Sequence, residues 1–316
     1  MQRRHLHILI TCVVVAAVHV ALVHWYRHGV MGYGIAERTL QQFESLREQV
    51  DIVALGDSHV KWGIEAEAIP GAFNFALPGE SYVQSYYRLR SLLDDEGQVL
   101  RAVVLPADPH SLARHSDHQF RHYYAAFVDP FELGRVDGEM LHRVIESLRG
   151  RLAPYAGQRA NLLAYLETGR PPEVRWLDEV PMHAGSLASD RLVTAFSPAG
   201  RRAKAQERMG YHFGQAPGLD PTLGYYLGKL LSLCAERGIR VLLVRFPLGD
   251  AYLEALPDPA ASDAMIARMV DASENAELLD ARRVFANRPQ LFADVDHLNR
   301  EGAALLSRRV ARRLAR

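Results

Sequence analysis

The tetrapeptide GDSH at 56–59 follows directly after an apolar run, IVAL at 52–55. A short apolar run that ends at glycine is typical of a buried strand. A serine at the end of such a strand can act as a nucleophile when a base lies within hydrogen-bond reach. The sequence also allows a simpler interpretation, in which Ser58 only caps the following helix, because Asp and Ser are favoured there.

A candidate base lies near the other end of the chain, in LFADVDHLNREGA at 291–303. Asp294 and His297 have the spacing D-x-x-H, which on one short loop can fold the carboxylate back onto the imidazole and fix its tautomer. Asp296 is adjacent to His297, and we expect it to point away. Alone, His297 could be an ordinary surface histidine. Together the two motifs predict Ser58 as nucleophile, His297 as general base and Asp294 as the residue that orients it.

Apolar runs alternate with helical patterns along the chain, which predicts an α/β fold with a parallel sheet covered on both faces. In such sheets ligands bind outside the carboxyl ends of the strands, where Ser58 is placed. An amphipathic connecting helix is predicted at 35–49. Asp220 and Asn299 are predicted helix N-caps, and Gly238 is a predicted helix end. Strands are predicted at 51–56, 72–76, 101–106, 239–246 and 276–280, and helices at about 80–95, 221–237, 259–272 and 299–315.

The two motifs together resemble those of the SGNH/GDSL hydrolase superfamily. More narrowly, GDSH and DHLNREG are similar to motifs of membrane-anchored members that modify cell-surface polymers, the alginate O-acetyltransferases and the D-alanyl-transfer proteins of teichoic acid modification. The resemblance covers roughly 50–109 and 220–316. It implies a three-layer α/β/α, flavodoxin-like fold, a Ser-His-Asp triad that works through an acyl-serine intermediate, and no cofactor.

The resemblance also implies where an oxyanion would be held. Gly79, in NFALPGES, stands at the place of the family's second block, and the Ser58 N–H would be another donor. The third block, usually Gly-x-Asn-Asp, is replaced by LPADPHS, in which Asp108 falls nearest the asparagine position. His59 is a rival base by adjacency, but we expect it to shape the pocket instead, and we expect Trp62 to pack against the cap. The candidate pocket residues are Asp57, His59, Trp62 and Asp108.

The predicted organisation is a cytoplasmic tip and anchor at 1–29, a connecting helix at 30–49, and an SGNH-like domain at 50–316. An insertion or cap over the strand ends is expected at about 110–219. Its basic stretch RRAKAQER at 201–208 is interpreted as a solvated helix face. Three histidines at 115, 118 and 122 have metal-like helical spacing, but they stand in an aromatic stretch that could equally line a cleft, and no metal site is expected.

The N-terminal segment predicts a membrane anchor. Residues 6–26 contain no Asp, Glu, Lys or Arg and are long enough to cross about 30 Å of hydrocarbon. Arg3 and Arg4 precede this run, and Trp25 and Tyr26 end it, which predicts a single pass with the N-terminus in the cytoplasm and the domain periplasmic or extracellular. A cleaved signal peptide is the alternative. The 37 basic and 37 acidic residues give no basic excess for nucleic acid.

The functional expectation is a membrane-anchored extracytoplasmic O-acyltransferase or esterase that acts on a cell-surface polysaccharide or another acyl ester. The resemblance implies an integral membrane partner that supplies the acyl donor. Two alternatives remain open at this point. One is a plain serine esterase or lipase, and the other is a non-catalytic carbohydrate-binding or assembly protein that has kept the fold.

Overall fold

A parallel five-stranded sheet forms the centre of the computed structural model, which describes residues 2–31, 34–94, 98–114, 128–136, 140–156, 159–169, 182–214 and 218–316. The strand order is β2-β1-β3-β6-β7, and every neighbouring pair is parallel. The strands are β1 (Ile52–Ala54), β2 (Ala72–Asn74), β3 (Ala102–Pro106), β6 (Arg240–Arg245) and β7 (Ala276–Asp280). The chain direction across the sheet reverses between β1 and β3, which is where doubly wound sheets bind ligands.

The described helices include all those predicted. A two-stranded hairpin, β4 (Met182–His183) and β5 (Ser186–Leu187), lies outside the main sheet. The helices are α1 (Gln2–Trp25), α2 (Gly34–Leu46), α3 (Ser58–Gly63), α4 (Tyr82–Asp94), α5 (Pro130–Val136), α6 (Met140–Leu152), α7 (Arg159–Thr168), α8 (Pro198–Phe213), α9 (Pro221–Glu236), α10 (Asp250–Ala255), α11 (Ala260–Asp271) and α12 (Arg300–Leu314).

Buried side chains fill both faces of the sheet. Successive residues of a strand point to opposite faces, so Val53 and Val103 pack on one face with α4, α9 and α11, whereas Ile52 and Val104 pack on the other with α3, α8 and α12. The arrangement is consistent with the expected three-layer α/β/α fold. The predicted caps also form: the Asp220 side chain accepts from Thr222 N, and that of Asn299 accepts from Gly302 N.

The N-terminal helix is long and apolar enough to cross a membrane. The stretch Arg4–Val30 has a mean hydropathy of 2.6 over its most apolar window, and none of that window is buried in the protein. A short π-helical turn, Tyr26–Met31, continues α1 towards α2. This finding supports an anchor by length and composition.

The region at 110–219 contributes α5 to α8 and the β4–β5 hairpin. Helix α8 packs against α10 and the sheet face that carries α12, close to the strand ends. The three histidines with metal-like spacing, at 115, 118 and 122, lie outside the described residues.

Candidate active site

Ser58 is held at the end of β1 by a turn that requires glycine. Gly56 has a φ of 131°, and a Cβ atom there would lie 2.6 Å from the Pro106 side chain of the neighbouring strand. The following residue, Asp57, is the N-cap of α3, and its carboxylate accepts a hydrogen bond of 2.9 Å from His59 N. The cap is therefore Asp57 and not Ser58, which is the first residue of α3 and is half-buried.

The loop before α12 is fixed by its own backbone contacts. Asp294 Oδ1 accepts from the backbone N–H groups of Asp296 and His297, at 3.0 and 2.8 Å. Ala293 N donates to His297 O at 2.9 Å, which closes the loop. Gly302 on α12 approaches the Leu291 carbonyl so closely that a Cβ atom would lie 2.2 Å from its oxygen. The D-x-x-H spacing thus brings the Asp294 carboxylate within hydrogen-bond distance of His297 Nδ1.

The structure brings Ser58, His297 and Asp294 into one hydrogen-bonded chain. His297 Nε2 lies 2.8 Å from Ser58 Oγ, and His297 Nδ1 lies 2.9 Å from Asp294 Oδ2. With Nδ1–H donating to the carboxylate, Nε2 is left to accept the serine hydroxyl. These are the contacts that a serine nucleophile needs from a base and an orienting acid.

His59 lies beneath this chain of contacts, between two buried carboxylates. Its Nδ1 is 2.8 Å from Asp108 Oδ2, and its Nε2 is 3.4 Å from Asp296 Oδ2. Burial disfavours the His59 imidazolium, but the hydrogen bonds to Asp108 and Asp296 outweigh burial and raise its pKa to about 10. His59 is therefore a buried cation that donates from both nitrogens, rather than a base for Ser58.

Asp108 follows β3 in LPADPHS, where the resemblance leads one to expect Gly-x-Asn-Asp. Its side chain is fully buried and faces His59. Its other oxygen accepts from Phe246 N at 2.8 Å, at the end of β6. The carboxylate is therefore turned away from the surface on which Ser58 lies. It pairs with a cation instead of donating to an oxyanion.

Two further histidines, His110 and His212, extend the buried layer. Burial opposes ionisation of Asp57, but the hydrogen bond and charge of His110, whose Nε2 lies 2.8 Å from Asp57 Oδ2, lower the pKa of that carboxyl. His212 Nδ1 lies 2.6 Å from Tyr252 Oη, and burial together with the nearby His110 holds the pKa of His212 well below its usual value. His212 is thus neutral, and the Tyr252 hydroxyl donates to it.

Arg208 of α8 reaches into the site from the region over the strand ends. Its Nε donates to both oxygens of Asp296, at 3.0 and 2.9 Å, and its Nη2 lies 3.3 Å from His297 Nε2. The interpretation of 201–208 as a solvated helix face is wrong for Arg208, because its side chain is only 18% exposed. The expectation that Asp296 points away is also wrong. Asp296 is buried, pairs with Arg208 and His59, and its ionisation is favoured by His297 and these partners against the cost of burial, so its pKa is well below the usual value.

The two remaining predicted residues lie on either side of the Ser58 turn. Gly79 has a φ of 77° in a turn that begins at Leu77, whose N–H donates to Gly56 O at 3.0 Å. This hydrogen bond joins the Gly79 turn to the Ser58 turn. Trp62 packs with Leu187 of the β4–β5 hairpin and with α2, in keeping with the expected packing against the cap.

Four residues of the buried layer were not predicted from the sequence: His110, Arg208, His212 and Tyr252. Two sequence patterns could have revealed the first three. His110 follows the third strand in the same DPH stretch as Asp108, at the same edge of the sheet as Ser58. Arg208 and His212 have i, i+4 spacing and therefore share one face of α8. Tyr252 carries no comparable signal.

The His59, His110 and His212 cluster has ligand atoms within 4.8 Å of one another, and Asp296 lies beside His59 and His297 in the same way. The His110 and His212 rings are stacked, however, with centroids 4.3 Å apart and planes 15° apart. An imidazole nitrogen binds a metal in the plane of its ring, so two nearly parallel rings do not converge on one ion. For His59, His110 and His212, the ring geometry therefore favours a hydrogen-bonded network over a metal site.

Comparisons with known proteins do not assign the chain to a family. No family model matches the sequence, and no curated protein matches it. Among solved structures, the chain is similar to one described as "a putative platelet activating factor from Streptococcus pneumonia". The match has 11% identity and a TM-score of 0.42, and it covers 95% of this chain and 99% of that one. A likeness this distant does not carry an activity across, and the geometry of Ser58, His297 and Asp294 is the observation that bears on function.

Proposed function

We propose that the protein is a serine-dependent acyl-transfer enzyme in which Ser58 is the nucleophile, His297 the general base and Asp294 the residue that orients it. The observation that carries the proposal is the continuous hydrogen-bonded chain from Ser58 Oγ through both nitrogens of His297 to Asp294. A serine hydroxyl is a weak nucleophile until such a base removes its proton. Here His297 is that base, and it lies within hydrogen-bond distance of Ser58, which follows the end of β1.

In the proposed reaction, Ser58 Oγ attacks the carbonyl carbon of an acyl ester while its proton passes to His297 Nε2. Asp294 stabilises the imidazolium that forms. The tetrahedral oxyanion collapses, the ester oxygen takes the proton from Nε2, and the acyl group remains on Ser58. An alcohol or water then gives its proton to His297 Nε2 and attacks the acyl-serine carbonyl. The bond from the acyl carbon to Ser58 Oγ breaks, and Nε2 returns the proton to Oγ.

We propose Arg208 as a donor to the oxyanion, together with the Ser58 and Gly79 N–H groups. The side chain that the resemblance leads one to expect after β3 is absent, and Asp108 in its place faces inwards. The Arg208 guanidinium lies against the His297 ring, with Nη2 3.3 Å from Nε2 and 3.5 Å from Nδ1. A charged donor held in a mostly buried site suits the charge that develops in the transition state.

The substrate that we propose is an acylated polysaccharide of the cell surface, with transfer to a sugar hydroxyl or hydrolysis as the second half of the reaction. The apolar stretch Arg4–Val30 supports placement at a membrane. We further propose that the N-terminus is cytoplasmic, that the domain is extracytoplasmic, and that an integral membrane partner supplies the acyl donor. These statements rest on the sequence motifs.

The test is covalent labelling of the purified full chain with a fluorophosphonate, in which Ser58 Oγ bonds to phosphorus and fluoride leaves. We expect a single adduct on Ser58, located by mass spectrometry, and its loss in Ser58→Ala and His297→Ala. His183→Ala, which removes an exposed histidine, is the matched control and should label normally. A folded protein that gives no adduct would contradict the proposal and favour a binding protein with this fold.

The same preparation separates transfer from hydrolysis. A soluble acetyl ester is supplied with an oligosaccharide acceptor, and both the acetylated acceptor and free acetate are measured. Acceptor-dependent product at the expense of acetate identifies a transferase. Acetate that is insensitive to acceptor identifies a plain esterase.

A further inference from the structure

Helix α6 presents an apolar stripe that no described part of the protein covers. Leu141, Ile145 and Leu152 lie on one face by their helical spacing. Their side chains are 71%, 49% and 61% exposed. A regular apolar face of this kind on a helix is unlike the scattered exposed leucines of a soluble surface, and it indicates a partner that is itself apolar.

Helix α7 has one face on the membrane helix and another that is exposed. Leu162 and Tyr165 pack against Tyr26 and Val30, which are buried at the end of the apolar stretch. Leu163 and Leu166 are 61% and 67% exposed. We call α6, the turn Pro154–Ala156 and α7 the collar, since together they flank the end of the membrane helix.

Four aromatic rings join the collar to the end of α1 and to the π-helical turn that follows it. Tyr165 lies edge-on to Trp25 with centroids 5.9 Å apart, and Tyr155 lies edge-on to Tyr26 at 6.1 Å. Tryptophan and tyrosine are enriched where a spanning helix leaves the hydrocarbon. Two of these four rings come from the collar, so this aromatic belt is formed by packing between separate parts of the chain and not by the N-terminal helix alone.

The collar also contacts α1 on the apolar side of this belt. Tyr155 Oη lies 3.5 Å from His19 Nδ1. His19 precedes Trp25 by six residues, which corresponds to about 9 Å along a helix. If residues 6–25 cross the hydrocarbon, Tyr155 reaches α1 within the membrane and not above it.

We propose that the collar lies in the outer interface of the bilayer, with the exposed leucines of α6 and α7 in contact with lipid. The inference rests on the proposed membrane anchoring, and the collar packs on the end of the apolar stretch through Leu162 and Tyr165. We assign the lipid bilayer as the partner of this apolar surface because Tyr155 of the collar contacts His19, which lies within the proposed membrane span. The protein is then fixed to the membrane by one spanning helix and two helices that lie on the surface.

The test uses the full chain in nanodiscs that hold one copy each. Cys12 is replaced by Ser, and Cys234 is fully buried and stays unlabelled. Single cysteines at Ile145, Leu163, Leu192 or Val15 carry an environment-sensitive fluorophore. Quenching is measured with lipids brominated near the headgroup or near the acyl end, and with aqueous iodide.

We expect labels at Ile145 and Leu163 to lose emission with shallow bromines and to resist iodide. The label at Leu192, a similarly exposed leucine outside the collar, should show the reverse. Iodide quenching at Ile145 and Leu163 without lipid quenching would overturn the proposal. The label at Val15 tests the anchor separately. If deep bromines do not quench it, the proposed anchoring is wrong. If they quench Val15 but lipid bromines quench neither Ile145 nor Leu163, the anchor stands and the proposed lipid contact of the collar is wrong.

Discussion

At the scale of single residues, the site depends on a buried layer of charge beneath the surface that carries Ser58. Asp57, Asp108 and Asp296 are buried carboxylates, and each has a histidine or arginine partner. Removing one member of a buried ion pair is costly because the other charge is left without compensation. The layer therefore ties the ends of β1, β3 and the loop before α12 to one another.

Replacing His59 by Gln should destabilise the protein by about 3–5 kcal/mol at pH 6, because Asp108 and Asp296 lose their shared cation. The folded-state pKa of His59 is raised to about 10, so its contribution is fully present below the unfolded value of about 6.5 and is lost as the pH rises towards 10. The difference in unfolding free energy between parent and His59→Gln should therefore shrink from pH 6 to pH 9.5. Urea unfolding followed by near-UV circular dichroism measures it.

His183→Gln, at an exposed histidine, is the control for this experiment and should match the parent at each pH. A gap between the parent and His59→Gln that stays constant with pH would show that folding does not shift the His59 pKa, which would contradict a buried His59 cation. Comparing the two proteins at each pH also cancels the titration of Lys61, whose pKa burial lowers.

Replacing Arg208 by Gln should lower kcat for a small acetyl ester by about 10²–10³ with little change in KM, the size expected for one oxyanion donor. The loss has two possible origins, since Asp296 also loses its partner. The double variant Arg208→Gln with Asp296→Asn restores the charge balance. A double variant that stays slow supports a role in the transition state, and one that recovers parental kcat would reduce Arg208 to a structural ion pair.

At the scale of elements, the sheet was predictable because parallel strands buried on both faces are apolar runs bounded by turn residues. The Ser58 position was predictable because it directly follows a recognisable strand, and the His297 position because it directly precedes the recognisable helix cap Asn299. The direction of Arg208 was not predictable. An alternation of Arg, Lys and Glu on α8 is compatible with a fully solvated helix, and only tertiary packing decides which face turns inwards. Asp296 was misjudged because its partners come from distant parts of the chain.

Helix α12 positions the loop that carries Asp294 and His297 through the close approach of Gly302 to Leu291 O. In Gly302→Ala the new Cβ would displace the loop, at a cost of about 1–3 kcal/mol in unfolding free energy. A displacement of about 1 Å in His297 should slow fluorophosphonate labelling of Ser58 by about 10²-fold. Thermal unfolding and labelling rates measure the two effects.

Gly210→Ala is the matched control, because a Cβ at this helical position of α8 meets nothing within 4 Å. It should stabilise the protein by about 0.5–1 kcal/mol and leave the labelling rate unchanged. Equal effects of the two substitutions would mean that the loop does not depend on the contact between Gly302 and Leu291.

At the scale of the whole molecule, the connecting helix α2 links the apolar helix α1 to the sheet. Phe43 of α2 is buried against Phe73 of β2, and Thr39 of α2 accepts a hydrogen bond of 2.9 Å from the buried Lys61 Nζ on α3. Helix α3 is also the element that begins with Ser58. The path from α2 to Ser58 therefore passes through packed side chains.

The proposed orientation predicts which surfaces a membrane-impermeant maleimide can reach in intact cells. In the Cys12→Ser background, Leu192→Cys should label without permeabilisation, and Gln2→Cys should label only after the membrane is opened. The physical reason is the placement of Arg3 and Arg4 before the apolar stretch, which favours a cytoplasmic N-terminus. Labelling in the opposite order would invert the topology, and loss of residue 2 from the mature chain would identify a cleaved leader.

The pair formed by His59 and Asp108 has a consequence for how sequences of this kind change over time. A neutral residue at 59 leaves the buried Asp108 carboxylate without a cation, and a neutral residue at 108 leaves His59 with only the more distant Asp296 carboxylate, so a change at one position favours a change at the other. We expect related chains with GDSH after the first strand to keep a carboxylate after the third strand. Those without the histidine should be free to carry asparagine there. The residue at the fourth position of GDSH would then predict whether the motif after the third strand, about fifty residues later, carries a carboxylate.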